Sequence, residues 1–157
     1  MRLLFLAVLL ISVTCPLSAQ PPCAGPGRIP ASAQAVCGNI TFRESDVSNC
    51  IGPDLPNPTS GCGQVTTNNS RWYKFHCYVA GTLGFLISPT SPADDYDWEV
   101  MDITGHPPND VFLFELRVSL NLSGQPGITG CTVAGVSDIN CGGGAPGTQF
   151  NRLIIMP

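Results

Sequence analysis

The chain has 157 residues, 43% hydrophobic and only 11% charged, with a net charge of −4, 17 glycines, 15 prolines and 8 cysteines. That length carries one domain, and so little charge beside so much apolar content excludes a disordered tail and a Glu/Lys/Arg/Ala-rich helical bundle. The acidic balance argues against nucleic acid as a partner, and the glycines and prolines predict many turns between short strands.

The N-terminus reads as a secretory leader. Arg2 supplies a positive charge, residues 3–13 are apolar apart from Ser12, and Leu17-Ser18-Ala19 offers small residues for cleavage. The apolar run is shorter than the roughly 20 residues a membrane span needs, and Thr14 before Cys15 does not suit a lipid-anchor site. A cut after Ala19 removes Arg2 and Cys15. It leaves 138 residues, seven cysteines and a net charge of −5. No later apolar run is long enough to span a membrane, so the mature chain is expected outside the cell or on its outer surface.

Residues 20–36 form a Pro-rich lead-in, and residues 37–157 are read as the domain. Residues 39–43 alternate and predict a first strand. Residues 48–69 form a long loop holding Cys50 and Cys62, and a loop of that length is usually functional or stapled. Residues 71–79 predict a strand with Tyr73, Phe75, Cys77 and Val79 on its buried face and Trp72, Lys74, His76 and Tyr78 on the other. A turn at Gly81-Thr82 leads to the alternating Leu83, Phe85 and Ile87, so the two runs predict a hairpin. Residues 97–104 predict a third strand, closed by Gly105 and Pro107-Pro108.

Residues 111–122 show the most regular alternation. Phe112, Phe114, Leu116, Val118, Leu120 and Leu122 share one parity, predicted to face the core. Glu115, Arg117, Ser119 and Asn121 share the other, predicted to face solvent. Short strands at 131–136 and from Arg152 onward complete the pattern, with the glycine-rich loop from Cys141 between them. No segment has helical periodicity. The expected fold is all-β, an antiparallel β-sandwich, and the ending on Leu-Ile-Ile-Met-Pro157 reads as a domain that continues past this sequence.

Three stretches, taken together, resemble one family. They are Arg71-Trp-Tyr-Lys-Phe with Cys77, then residues 81–89, then Asp94-Asp-Tyr-Asp-Trp-Glu with Asp102 and Pro108-Asn-Asp-Val. They are similar to the N-terminal β-sandwich domain of large gliding-motility-associated surface proteins of gliding bacteria, which carry a type IX secretion sorting domain. The resemblance implies a jelly-roll or CUB-like sandwich, export to the outer-membrane surface, and an adhesion or scaffold role. The chain departs from that pattern after Val111, running directly into Phe112-Leu-Phe-Glu-Leu-Arg where a polar loop is expected.

The candidate chemistry is limited. Asp95, Asp97 and Glu99 share a strand parity and Asp110 lies in the next turn, a set that could offer oxygen ligands to calcium. The same residues could equally be a solvated acidic edge that discourages strand addition. Trp72 and Tyr78 could line a ligand face for a sugar or simply pack. His76 and His106 stand without a Gly-x-Ser-x-Gly elbow, and no short-spaced Cys/His pairs suggest zinc. Among the cysteines, local closure favours Cys131 with Cys141, with further pairs drawn from Cys23, Cys37, Cys50 and Cys62, and Cys77 as a free core thiol. The expected function is a non-catalytic surface module that binds an extracellular protein or polysaccharide. The alternative is an accessory, carbohydrate-binding domain of a secreted peptidase or glycoside hydrolase.

Overall fold

The computed structural model describes residues 20–57 and 61–157. The leader reading for residues 1–19, Cys15 included, lies outside them. The chain is all-β: ten short strands and two 3-10 turns, with no α-helix among the described residues. In chain order these are η1 (Pro30–Ser32), β1 (Gln34–Ala35), β2 (Tyr73–Lys74), β3 (Gly81–Leu83), β4 (Phe85–Ile87), β5 (Trp98–Met101), η2 (Pro108–Phe112), β6 (Arg117–Asn121), β7 (Thr129–Thr132), β8 (Ile139–Asn140), β9 (Phe150–Arg152) and β10 (Ile154–Met156).

Two three-stranded sheets carry the core. One has the order β4-β7-β9 and the other β5-β6-β8. In each, one pairing is antiparallel (β4 with β7, β5 with β6) and one parallel (β7 with β9, β6 with β8). The sheets are therefore mixed where the sequence predicts antiparallel pairing. Trp98 on β5 joins them. It is buried against Cys131 and Ile154, with Leu83, Phe85, Ile87, Val100 and Met156 packed around. Its indole meets the Phe85 ring edge-on at 4.9 Å, and its N–H donates to Thr129 Oγ1 at 2.8 Å. A buried Trp thus has its polar atom satisfied and its ring in the favoured T-shaped contact.

The expected alternation of Leu83, Phe85 and Ile87 is present, and all three pack on that core. The predicted hairpin is not. β2 pairs in parallel with β1, while β3 pairs with β10 and β4 with β7. Gly84 and Leu153 explain how one run can serve two sheets. The 81–87 run breaks at Gly84 and the 150–156 run breaks at Leu153. A side chain at Gly84 would stand 2.7 Å from Leu153 Cδ2, so Leu153 fills the space that the glycine leaves open.

The largest correction concerns residues 111–122. They divide into η2 and β6 rather than one strand. Within β6 the polar Ser119 and Asn121 are fully buried, while Val118 and Phe114 of the expected core face are exposed. The physical reason is hydrogen bonding. Asn151 on β9, itself fully buried, donates through Nδ2 to Ser119 Oγ at 2.9 Å, Leu120 O at 2.9 Å and Asp138 O at 2.7 Å. Its Oδ1 accepts from Asn121 Nδ2 at 2.8 Å and Asn140 Nδ2 at 2.5 Å. Ser119 donates on to Asp138 O at 2.9 Å and Asn121 to Thr148 O at 2.9 Å. Leu120, between them in sequence, is also fully buried. β6 is the middle strand of its sheet, so both its edges are paired, and its C-terminal half, Ser119–Asn121, is buried.

Other expectations are also revised. Residues 39–43 form no strand. Tyr73, Phe75, Cys77 and Val79 are exposed, not buried, because β2 sits in a two-stranded sheet apart from the main core. The lead-in is tied down: Pro30 and Ala33 are buried and β1 pairs with β2.

The disulfides differ from the expected local closure. Cys23 bonds Cys50, a pair from the expected set, with Cα atoms 4.8 Å apart. Cys141 bonds Cys62 across 79 residues, not Cys131. Cys131 is instead a buried free thiol in the core. It packs on Trp98 and Ile154 and is 2% exposed, so its thiol is held in the core while Cys141 is committed to Cys62. The 48–69 loop is stapled as expected, but by two bonds leading out of it.

Glycines test this packing. A side chain at Gly130 on β7 would overlap the backbone carbonyl of Phe85 and stand 3.0 Å from Leu86 Cα, and its φ is +146°. Gly130→Ala is expected to cost about 3 kcal/mol, the upper end of overpacking penalties. Gly84→Ala is expected to cost less, because the tip of Leu153 can move aside. Urea unfolding of both variants checks the order; equal costs would contradict it.

Candidate recognition surface

A group of exposed aromatic side chains lies on and beside the two-stranded β1–β2 sheet: Tyr73 on β2, and Phe42, Phe75 and Tyr78 in the segments that follow the two strands. The ladder of this sheet starts where Gln34 N donates to Trp72 O at 2.9 Å and Val36 N to Lys74 O at 2.8 Å. The segment following Gly38 then folds back over β2. Phe42 places its ring 5.2 Å from that of Tyr73. Glu44 accepts from Tyr73 Oη and from Arg71 Nη2, each at 2.9 Å, and Asp46 pairs with Arg28 at 2.7 Å. Burial, then the Glu44 carboxylate beside it, pushes the Tyr73 hydroxyl well above the usual phenol range. This phenol therefore stays neutral and donates to Glu44.

Beyond Tyr73 the chain presents Phe75, His76, Tyr78 and Val79. Tyr78 is 88% exposed and Phe75 45%, and the rings of His76 and Tyr78 lie 4.6 Å apart. Trp72 does not join this strip. It is half-buried, edge-on to Phe112 of η2 at 6.1 Å, with its N–H donating to Ser70 Oγ at 2.9 Å. Of the two expected ligand-face residues, Tyr78 is free to meet a partner and Trp72 holds η2 against β2. The residues missed by the sequence reading are Phe42, Tyr73 and Phe75. Alternation put Tyr73 and Phe75 in the core and could not show Phe42 against β2.

The four acidic residues named for calcium are not brought together. Glu99 is turned inward to a buried ion pair with Arg117. Arg117 also donates through Nη1 to both carboxylate oxygens of Glu115, at 2.7 and 2.8 Å. Burial raises the Glu99 carboxyl above its ordinary value, opposed by Arg117. Asp110 is engaged by His106 Nδ1 at 3.0 Å across η2. Asp95 and Asp97 remain exposed before β5, and the Asp97 carboxyl is raised by partial burial and by the charge of Asp95. Among the described residues no group of three or more His, Cys, Asp or Glu side chains is placed to hold a metal ion. The two histidines are engaged with neighbours, His76 with Tyr78 and His106 with Asp110 and the Phe114 ring at 5.5 Å. No helix among them is long and apolar enough to cross a membrane.

Cys131 offers a direct probe of the core. Burial pushes its thiol up to about 11 from 9.0, so at pH 8 it holds about a hundredfold less thiolate than an ordinary thiol. Since the thiolate is the nucleophile, Cys131 is expected to resist iodoacetamide in the folded protein and to react once it is unfolded in guanidinium. Rapid labelling of the folded protein at Cys131, read by mass spectrometry, would contradict its burial. In comparison with known proteins, the chain matches no family model, no curated protein and no solved structure.

Proposed function

We propose that this chain is an exported, non-catalytic β-sandwich module, of jelly-roll or CUB-like type, that recognises a polysaccharide at the cell surface. It would be part of a larger gliding-motility-associated surface protein and be released from its leader after Ala19. The observation that carries the reading is the exposed group of Phe42, Tyr73, Phe75 and Tyr78 on and beside β2. Exposed aromatic rings match the apolar faces of sugar rings, and each aromatic contributes large contact area at low conformational cost. The two disulfides support the export half of the reading, because such bonds persist in oxidising compartments. The net negative charge, with few basic side chains, supports a neutral partner over an anionic one.

The test is depletion binding of the mature chain to insoluble polysaccharides such as cellulose, chitin and peptidoglycan. The expected result is retention on at least one, weakened tenfold or more in a Phe75→Ala/Tyr78→Ala variant that melts at the native temperature. Native chain that stays in the supernatant with all three, or a double variant that binds as well as the native chain, would overturn the assignment of this face.

A further inference from the structure

We infer that Cys37 and Cys77 form a third disulfide, closing β1 against the end of β2. In the structure both are free and exposed, in a chain that already holds two disulfides. Their positions follow from the β1–β2 ladder. Gln34 pairs with Tyr73 and Ala35 with Lys74, and Val36 N still donates to Lys74 O at 2.8 Å. Carrying that register two places further sets Cys37 opposite His76 and diagonal to Cys77. Were that register to continue, strands about 4.8 Å apart with a rise of about 3.3 Å per residue would set the two Cα atoms about 6 Å apart, and the last ladder bond, Val36 N to Lys74 O, already brings the two segments side by side. That separation lies inside the span of about 4.4–6.8 Å that a disulfide bridges.

Strand alternation continued to these residues would point the two side chains to opposite faces, but the ladder has ended. Gly38 (φ +70°) turns the chain immediately after Cys37, and on the other side β2 ends at Lys74 with no strand before Gly81. Neither thiol is packed in place. Cys77 Sγ makes only a local contact to Val79 O at 3.4 Å, which the bond would replace. The step breaks two S–H bonds and forms one S–S bond. The two protons and two electrons pass to a disulfide-bearing oxidant of the thiol–disulfide exchange class, the class that also forms Cys23–Cys50. The bond would fix the exposed strip of Tyr73, Phe75 and Tyr78 to the N-terminal segment. It would also leave Cys131, buried in the core, as the one unpaired thiol of the seven in the mature chain.

Trypsin separates the possibilities, because residues 29–43 and 75–117 each form a peptide with one cysteine. The native protein is unfolded at low pH with N-ethylmaleimide, digested without reductant and mapped by mass spectrometry. The expected result is one linked species of 29–43 with 75–117 that separates on reduction, and maleimide on Cys131. Maleimide on Cys37 or Cys77, or either cysteine joined to another partner, overturns the inference. If in that case the Cys23–Cys50 and Cys62–Cys141 links are found, the export reading stands while this bond fails. A Cys37→Ala variant gives a second readout: Cys77 is expected to take up maleimide that it excludes in the native protein. Equal labelling of Cys77 in both proteins overturns the inference as well.

Discussion

The side-chain amide of Asn151 carries more of this fold than its size suggests. It reaches from β9 into the space under β6 and meets Ser119, Leu120, Asn121, Asp138 and Asn140. Those residues belong to β6, to β8 and to the turn that leads into β8. Strands of two to five residues contribute little pairing of their own, and both β6–β8 and β7–β9 are parallel pairs joined by loops rather than hairpins. One buried amide that satisfies five partners does what longer ladders do elsewhere. It fixes the register of three strands at once and leaves few alternatives with equal bonding.

The hydrophobic core works alongside this hub rather than in place of it. Trp98, Cys131 and Ile154 form its buried centre, and the Trp98 N–H has its own acceptor in Thr129. Thr129 in turn donates to Gln149 O at 2.6 Å, next to the start of β9. The apolar and polar halves of the interior are therefore continuous, and they meet along β7 and β9. Outside this centre the chain depends on covalent ties. Cys62–Cys141 joins the long loop to the glycine-rich turn, and Cys23–Cys50 holds the lead-in to that same loop. The proposed recognition surface lies on and beside the small β1–β2 sheet, held to the body through Trp72 on Phe112 and by η1 lying against η2.

What was legible in the sequence follows from this division. The all-β class could be read from glycine, proline and short alternating runs, and Leu83, Phe85 and Ile87 behaved as alternation requires. Residues 117–121 did not, because alternation scores a polar residue as solvent-facing and cannot see that Ser119 and Asn121 bond to Asn151, thirty residues away. The same limit applies at 71–79. An apolar parity there is real, but it faces solvent, since nothing in one strand's pattern says which sheet it will join. The Cys23–Cys50 pair lay within the expected set, whereas Cys62–Cys141 spans too much chain for local closure to suggest. For the acidic residues, shared parity could not show that Arg117 would draw Glu99 inward or that His106 would engage Asp110.

Replacing Asn151 with leucine, a side chain of similar volume, separates hydrogen bonding from space filling. If the amide is the constraint on which the strands depend, Asn151→Leu leaves an N–H of half-buried Asn140 and one of buried Asn121 without their partner. It should then lose about 2–6 kcal/mol in equilibrium urea unfolding, at about 1–3 kcal/mol for each unsatisfied group. A variant within about 0.5 kcal/mol of the native chain, the range of neutral surface substitutions, would contradict the account.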